Sequence, residues 1–358
     1  MNDLWGLMTE MEVNTRIICL IIAVLLIGTI IGLIIWKVFK KEEDYKEIPN
    51  VKWPFINLRD ENGKNVNMLC IRGPIIDYKD KVFFRDTLNK GVKYIGCSSY
   101  LSFPNQCQNP AYGCEEPFLF DNKRLDEFVI GWCHCFRNPS EYIKSGIPKL
   151  LLSESDFVDN MQLEPGNKKI LYDFICYCPK DDSCENGWHY HNKNWPLTRR
   201  TIETLCNAMG LKGFLVGRED CEINLKKPEL LEMKVWLDYY DFIDKIRESK
   251  IMIVASKEDA SPRTLTEALL LNKPVLVNEV ILGGWKYVNS QTGLFYNEET
   301  IIQQTVELMR RLRENQLSPR DYFFKNHGRD ISGKKFKDFL QKINPDLSPC
   351  NSVIFPTS

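Results

Sequence analysis

Two carboxylates, Asp259 and Glu267, have the spacing that says most about chemistry in this chain. Asp259 lies in a loop just after the apolar run Ile251–Ala255, which predicts a buried strand. Glu267 lies eight positions later, about one turn inside a helix predicted to begin near Pro262, and Pro274–Val277 predicts the next strand. Open parallel sheets bind ligands at the carboxyl ends of their strands, so we expect both acids at a ligand site.

The stretch Glu258–Asn278 resembles the acidic signature of retaining glycosyltransferases of family 4. The resemblance continues through Gly283–Phe295, which is similar to the Gly-Gly loop and Thr-Gly-Leu strand of that family, and it covers roughly residues 168–312. It implies an α/β chain with the GT-B fold, in which two Rossmann-type, doubly wound domains face each other across a cleft. Outside the signature, the chain resembles a divergent branch of the family like those of large DNA viruses and algae.

The resemblance also implies roles for individual residues. In that family two glutamates separated by seven residues hold a nucleotide sugar. Glu267 would accept the ribose hydroxyls, and Asp259, in place of the first glutamate, would accept hydroxyls of the transferred sugar. Lys193, just before a predicted helix, and Arg263 would neutralise the diphosphate, and His134 of the first domain would lie against the donor sugar. The other residues assigned to donor binding are Ser261, Gly283 and Gly284.

The function implied by the resemblance is that of an enzyme, a glycosyltransferase that moves a sugar from a nucleotide sugar to a glycan, lipid or protein acceptor. Retention of configuration follows from the resemblance alone. We expect no cofactor besides the donor and no metal, because the Asp-x-Asp motif that holds a metal in GT-A enzymes is absent. A catalytically inactive scaffold of the same fold remains the alternative. A nucleotide-sugar epimerase is disfavoured because the sequence has no Gly-x-Gly-x-x-Gly.

Histidines and cysteines allow other interpretations. His134 is also typical of a buried core or capping histidine. Cys133 and Cys135 flank it, but successive residues of a strand point to opposite faces, which disfavours a shared zinc ion. His189 and His191 lack a nearby third ligand, so metal binding is disfavoured there as well.

Residues Ile17–Trp36 form a run without a charged side chain, long enough for a helix to cross a bilayer. Arg16 is the only basic residue before it, whereas several lysines follow within ten residues, so the positive-inside rule predicts a single-pass membrane protein with its catalytic domain in the cytosol. The 13 cysteines agree with a reducing compartment, because an odd number leaves at least one unpaired. Cys107 and Cys114 are the pair we expect to form a disulfide if the domain is not cytosolic.

Composition and pattern suggest the domain organisation. A net charge of -1 and a pI near 6.5 show no excess of positive charge of the kind that nucleic-acid-binding proteins carry. Alternating strand and helix patterns predict two parallel-sheet domains. The predicted segments are an N-terminal tail at 1–16, a transmembrane helix at 17–36, a stalk at 37–65, an acceptor domain at 66–160, a linker at 161–169, a nucleotide-sugar domain at 170–343 and a tail at 344–358.

Overall fold

The computed structural model describes residues 22, 24–33, 48, 50–105, 119–158 and 163–356. The chain divides into two compact units, Met1–Glu47 and Ile48–Ser358. In the first unit the described residues are helical and exposed. Among the described residues, no helix combines the length and apolar character needed to cross a membrane. The other residues of the predicted span at 17–36 lie outside the described residues, so the span stays a prediction.

The first sheet of the larger unit has the strand order β14-β1-β2-β3-β6-β7. Strands β2, β3, β6 and β7 run parallel, whereas β1 runs antiparallel to both β2 and β14. A separate hairpin pairs β4 with β5. The bounds are β1 Phe55–Asp60, β2 Asn65–Ile71, β3 Lys93–Cys97, β4 Leu119–Phe120, β5 Lys123–Arg124, β6 Trp132–His134, β7 Lys149–Leu151 and β14 Val353–Ile354.

The second sheet is parallel throughout, with the order β10-β9-β8-β11-β12-β13. Its strands are short apolar runs because helices cover both faces of the sheet. The bounds are β8 Tyr172–Tyr177, β9 Gly213–Val216, β10 Leu231–Lys234, β11 Ser249–Val254, β12 Val275–Asn278 and β13 Gly293–Tyr296.

Eight helices of the larger unit are described, and two of them, α3 and α4, begin at a residue whose side chain caps the helix. In α3 the Asn194 side chain accepts the Leu197 N–H, and left-handed Gly210 ends the helix. The bounds are α1 Tyr78–Asn89, α2 Trp188–Asn192, α3 Trp195–Met209, α4 Tyr239–Arg247, α5 Arg263–Leu270, α6 Ile301–Arg313, α7 Pro319–Asn326 and α8 Arg329–Ile343.

The C-terminal part of the chain returns to the first sheet. Helix α8 buries Phe336 and Leu340 against β1, β2 and β3, and β14 pairs with β1 at the sheet edge. The predicted stalk at 37–65 and tail at 344–358 therefore need correction, because β1 and β14 lie inside them. β1 carries polar residues near its end and β14 has only two residues, so neither shows a clear apolar period.

Candidate functional site

The two acids meet at the carboxyl edge of the second sheet, as the sequence predicts. Asp259 lies in the loop after β11, and Glu267 lies in the second turn of α5, where it is buried. Both line a cleft of about 500 Å³. Of the predicted site residues, the cleft is also lined by Lys193, Ser261 and Arg263.

Lys193 and Asp259 form an ion pair at the cleft wall, and both side chains are largely buried. The position of Asp259 depends on the loop between β11 and α5, residues 255–262, which we call the acidic loop. Hydrogen bonds attach this loop to α2: the backbone N–H groups of Lys257 and Glu258 donate to the Asn192 carbonyl oxygen, at 2.9 and 3.3 Å. Asn192 is the last residue of α2, so this attachment brings the next residue, Lys193, to the acid.

Burial raises the pKa of the Glu267 carboxyl, while the Arg263 charge and a hydrogen bond from Tyr239 act in the opposite direction. Burial, followed by the nearby Glu267 carboxylate, raises the pKa of the Tyr239 phenol, so it stays a donor at neutral pH. Glu267 therefore presents a poorly hydrated acceptor to the cleft. Such a group gains from a ligand that brings its own hydroxyl donors.

The opposite part of the cleft is aromatic and apolar. It is formed by the ends of β8 and β9, the segment between β10 and α4, and α4 itself, and the sequence analysis assigned none of its residues to the site. Trp236 is largely exposed beside the cleft, whereas Phe242 is buried at its base. An apolar surface facing a few polar groups is the usual composition of a small-molecule site. The residues concerned are Tyr177, Val216, Val235, Trp236, Leu237, Tyr239 and Phe242.

Gly283 and Gly284 support the acidic loop rather than line the cleft. The Gly283 N–H donates to the Asp259 carbonyl oxygen at 2.9 Å. A Cβ atom at Gly283 would lie 2.0 Å from the Ala260 carbonyl oxygen, and Gly284 has a φ of +80° against Pro262. Only glycine allows this close approach. Their predicted contact with the donor itself stays a prediction.

A short turn, Glu154–Phe157, joins the two sheets and was not identified from the sequence. The Ser155 N–H donates to the Ser261 hydroxyl at 2.9 Å, and the two hydroxyl oxygens lie 2.7 Å apart. This contact fixes the side chain of Ser261 at the cleft. The signal available in the sequence was the capping box that begins at Ser153, in which the Asp156 carboxylate accepts the Ser153 N–H at 2.7 Å.

Asp156 of the same turn is fully buried in a polar network. Its carboxylate accepts the Tyr287 hydroxyl at 2.9 Å, lies 2.8 Å from His327 Nδ1 and pairs with Lys286. Burial alone would raise the pKa of Asp156, but the Lys286 charge and His327 outweigh it and hold the pKa below its usual range. The network anchors the turn to the Lys286–Tyr287 segment and to the end of α7.

His134 lies at the end of β6 and is buried. Burial, helped by the Lys286 charge, lowers the pKa of His134 to about 4, so the ring is neutral at pH 7. Its ring nitrogen Nδ1 has no partner among the described residues. His134 does not line the cleft described above, so its predicted contact with the donor sugar remains untested.

Metal ligands are grouped in one place within the described part of the chain, at Cys184, Asp220 and Cys221. The two cysteines form a disulfide with their Cα atoms 5.6 Å apart, and none of the three lines the cleft. Of the histidines considered earlier, His189 belongs to the first turn of α2, where its N–H donates to Asp181. Cys107 and Cys114 lie outside the described residues.

Comparisons with known proteins identify the fold. No protein-family profile and no curated protein matches the sequence. A solved structure of S. aureus TarM with Fondaparinux, alpha-GlcNAc-glycerol and UDP matches with a TM-score of 0.52, at 12% identity over 75% of this chain and 56% of TarM. Sucrose-phosphate synthase from Thermosynechococcus elongatus matches at 0.51, with 8% identity over 74% of this chain and 71% of that one.

A third match is Anabaena Alr3699/HepE in complex with UDP and glucose, with a TM-score of 0.50 and 11% identity over 74% of this chain and 76% of that one. The matched part of this chain covers little more than half the length of TarM, the first of the three similar proteins. These neighbours share the GT-B fold, and the similarity confirms that fold for this chain.

Proposed function

We propose that the chain is a glycosyltransferase that uses a nucleotide sugar as donor. The observation that carries the proposal is the position of Glu267, a buried carboxylate that faces a cleft of about 500 Å³ at the carboxyl ends of parallel strands. Lys193 and Arg263 line the same cleft and can balance a diphosphate. The GT-B fold and the acidic signature agree with this assignment, and two of the similar structures hold UDP.

The reaction needs one bond formed and one broken. An acceptor hydroxyl oxygen bonds to the anomeric carbon, while the bond from that carbon to the phosphate oxygen breaks and its electron pair leaves with the nucleoside diphosphate. The departing diphosphate takes up the hydroxyl proton. Glu267 holds the ribose, Asp259 accepts hydroxyls of the transferred sugar, and Lys193 with Arg263 stabilises the negative charge that develops on the leaving group.

Several finer points belong to the same proposal. We propose retention of configuration, as in family 4, and transfer without an obligatory metal. A diphosphate neutralised by lysine, arginine and backbone N–H groups does not require a cation. UDP-sugars are the first donors to test, because two of the similar structures hold UDP. We also propose that Ile17–Trp36 anchors the chain in a membrane with the cleft in the cytosol, on the basis of the apolar run and the lysines after it.

A specific observation favours the alternative of an inactive scaffold. Asp259 stands where the family has glutamate, and its carboxylate is engaged by Lys193. If a donor does not separate the Lys193–Asp259 ion pair, neither side chain is free to bind that donor. Donor binding by the purified chain separates the two functions.

The test is release of free nucleotide from a panel of nucleotide sugars by the purified chain, with and without EDTA. Glu267→Ala is the loss-of-function variant, and Glu229→Ala, an exposed glutamate outside the cleft, is its matched control. We expect release from one donor that EDTA does not reduce, that Glu229→Ala retains and that Glu267→Ala loses. No release and no thermal shift with any donor would reject the enzyme and support the scaffold.

A further inference from the structure

The disulfide between Cys184 and Cys221 joins two loops that follow neighbouring strands of the second sheet. Cys184 lies between β8 and α2, in residues 178–187, which we call the Cys184 loop, and Cys221 lies in the loop after β9. Cys184 is partly exposed, whereas Cys221 is buried. A small thiol in solution can therefore reach Cys184 more readily than Cys221.

The side chain of Arg218 lies beside this disulfide. Arg218 is fully buried, and its Nη1 donates to the Cys184 carbonyl oxygen at 2.8 Å and lies 4.0 Å from the Cys221 sulfur. The guanidinium also lies over the Trp195 ring, 4.7 Å from the ring centroid. Its buried Nε and Nη2 atoms have no hydrogen-bond partner in the ranges that the structure describes.

Arg218 therefore carries a buried positive charge that lacks a counterion. None of the ion pairs between described residues includes Arg218, and the carboxylate of nearby Asp220 pairs with Lys180 instead. A buried charge of this kind is unfavourable until an anion lies within reach. Reduction of the disulfide supplies one, because the sulfur of Cys221 already lies beside Nη1 and a positive charge favours the thiolate over the thiol.

The Cys184 loop also supports the start of α2. The Asp181 carboxylate of this loop accepts the N–H groups of His189 and Tyr190, at 2.8 and 3.3 Å. A Cβ atom at Gly187 would lie 2.4 Å from the same carboxylate, so the loop and the helix start fit closely together. The loop that the disulfide holds is therefore the loop that positions α2.

A displacement at the start of α2 reaches the cleft because the helix has only 5 residues. At its other end Asn192 accepts the two N–H groups of the acidic loop, and the next residue, Lys193, pairs with Asp259. The disulfide is thus connected to the wall of the cleft through one loop, one short helix and one ion pair.

We propose that Cys184–Cys221 is a redox-modification site, at which a small dithiol opens the disulfide and Arg218 holds the resulting Cys221 thiolate. Opening releases the Cys184 loop from the loop after β9, which loosens α2 and displaces Lys193 at the cleft. Reduction therefore weakens donor binding. The redox site rests on the disulfide and Arg218 alone, whereas its effect on donor binding rests on the proposed function.

The exposure of the two cysteines sets the course of the exchange. A thiolate of the dithiol attacks the sulfur of Cys184 and forms a mixed disulfide, and the bond to Cys221 breaks with its electron pair on the Cys221 sulfur beside Arg218. The second thiol then attacks the reductant's own sulfur in the mixed disulfide and releases Cys184. The dithiol loses two electrons and two protons. The protein disulfide gains the two electrons, one proton goes to Cys184, and the other goes to water.

The same cluster offers metal ligands once it is reduced, because Asp220 lies with the two sulfurs. Positive charge disfavours a cation there, since Arg218 lies beside Cys221 and Lys180 pairs with Asp220. A metal would have to displace that pair and remain next to the buried guanidinium. Reduction without metal uptake is therefore the expected chemistry, and zinc is included in the test.

The first experiment measures how readily the disulfide opens in the purified chain. The chain is equilibrated with reduced and oxidised dithiothreitol, its thiols are alkylated, and mass spectrometry of the Cys184 and Cys221 peptides gives the reduced fraction. The variants are Arg218→Met, which removes the charge, and Arg218→Lys, which keeps it. Arg199→Met is the matched control, because Arg199 is already paired with Glu185 of the Cys184 loop.

We expect Arg218→Met to lower the equilibrium constant for reduction about tenfold, because the thiolate loses its counterion. Arg218→Lys should recover most of the loss, and Arg199→Met should match the original chain. Equal reduction of Arg218→Met and the original chain would show that Arg218 does not stabilise the thiolate. Stoichiometric zinc that shields both thiols of the reduced chain from alkylation would assign the cluster to a metal site instead.

A variant that leaves Arg218 in place guards against misfolding of Arg218→Met. Cys184→Ser keeps the Cys221 thiol beside the guanidinium, and its ultraviolet absorbance at neutral pH is compared with that of the double variant Cys184→Ser with Cys221→Ser. We expect the absorbance of one thiolate in the difference. A difference without thiolate absorbance would reject the role of Arg218.

The second experiment follows the effect of reduction on the cleft. Hydrogen exchange is measured in the peptides that contain α2 and the acidic loop, and UDP affinity is measured by calorimetry, both before and after reduction. We expect faster exchange in both peptides and about tenfold weaker UDP binding in the reduced chain. Cys184→Ser, which cannot form the bond, should behave like the reduced chain with or without reductant.

These measurements separate the redox site from the proposed function. Unchanged exchange in α2 after reduction would reject the connection between the disulfide and the cleft. UDP binding of equal strength in both states would reject the effect on the donor. Faster exchange in a chain that binds neither UDP nor any nucleotide sugar would support the redox site and reject the proposed transfer.

Discussion

The protonation of Glu267 connects its burial with donor binding. Burial raises the pKa of the carboxyl. The role proposed for Glu267, accepting two ribose hydroxyls, requires the ionised form. As the pH falls through this raised pKa, the carboxylate gains a proton and donor affinity is lost at a higher pH than for an ordinary glutamate. The same shift makes folding less favourable as pH rises from the unfolded to the folded pKa, because the unfolded glutamate ionises first.

Tyr239→Phe tests this connection. The substitution removes a hydrogen bond that lowers the pKa of Glu267, so the acidic loss of donor affinity should move to higher pH. The measurement is donor affinity by calorimetry from mildly acidic to neutral pH. Tyr240→Phe changes the exposed neighbouring tyrosine, which does not line the cleft, and should leave the profile in place. An unmoved profile in Tyr239→Phe would show that this hydrogen bond does not control the acid.

The Lys193–Asp259 pair gives a second prediction, on stability. Lys193→Met leaves a largely buried carboxylate without its partner, and we expect it to lower the free energy of unfolding by about 2 kcal/mol. Adding Asp259→Asn removes the unpaired charge and should restore part of the loss. Urea denaturation of the two single variants and the double variant measures the coupling. Additive losses would mean that the two groups do not stabilise each other.

At the scale of elements, the acidic loop keeps its shape because the chain at Gly283 contacts its backbone. Gly283→Ala would bring a Cβ atom to 2.0 Å from the Ala260 carbonyl oxygen, so the loop must move. We expect a loss of about 2 kcal/mol in unfolding free energy together with weaker donor binding. Gly146→Ala is the control: its φ is +86° but open space surrounds it, so it should cost about 1 kcal/mol and leave donor binding unchanged.

The same elements show what the sequence could predict. The sequence predicts a helix at 196–209, which Gly210 ends, and an amphipathic helix at 300–313. The structure confirms them as α3 and α6, with bounds that agree within one residue. The sequence places Asp259 after a strand and Glu267 about one turn inside the next helix, and the structure confirms both positions because the two residues lie within one local unit. Ser155, Arg218 and Tyr239 were not predicted. Their positions depend on contacts between segments far apart in the chain, which no local pattern records.

At the scale of the whole molecule, the C-terminal segment completes the first domain. Phe355 is buried between the rings of Phe157 and Phe336, at centroid distances of 5.2 and 4.8 Å. Phe355→Ala should lower the free energy of unfolding by about 3 kcal/mol or more, as for other buried phenylalanines. Phe324→Ala, at a ring that is 38% exposed, should cost about 1 kcal/mol or less. Equal losses in urea denaturation would mean that the segment is not part of the core.

The return of β14 to the edge of β1 also sets an order for synthesis. The second sheet is built from one continuous stretch, Tyr172–Tyr296, so a ribosome can deliver all its strands before the chain is finished. The first sheet begins earlier but receives its last strand only when Val353 and Ile354 emerge. During translation the N-terminal sheet therefore waits with an open edge, and the domain that starts second is the first able to close.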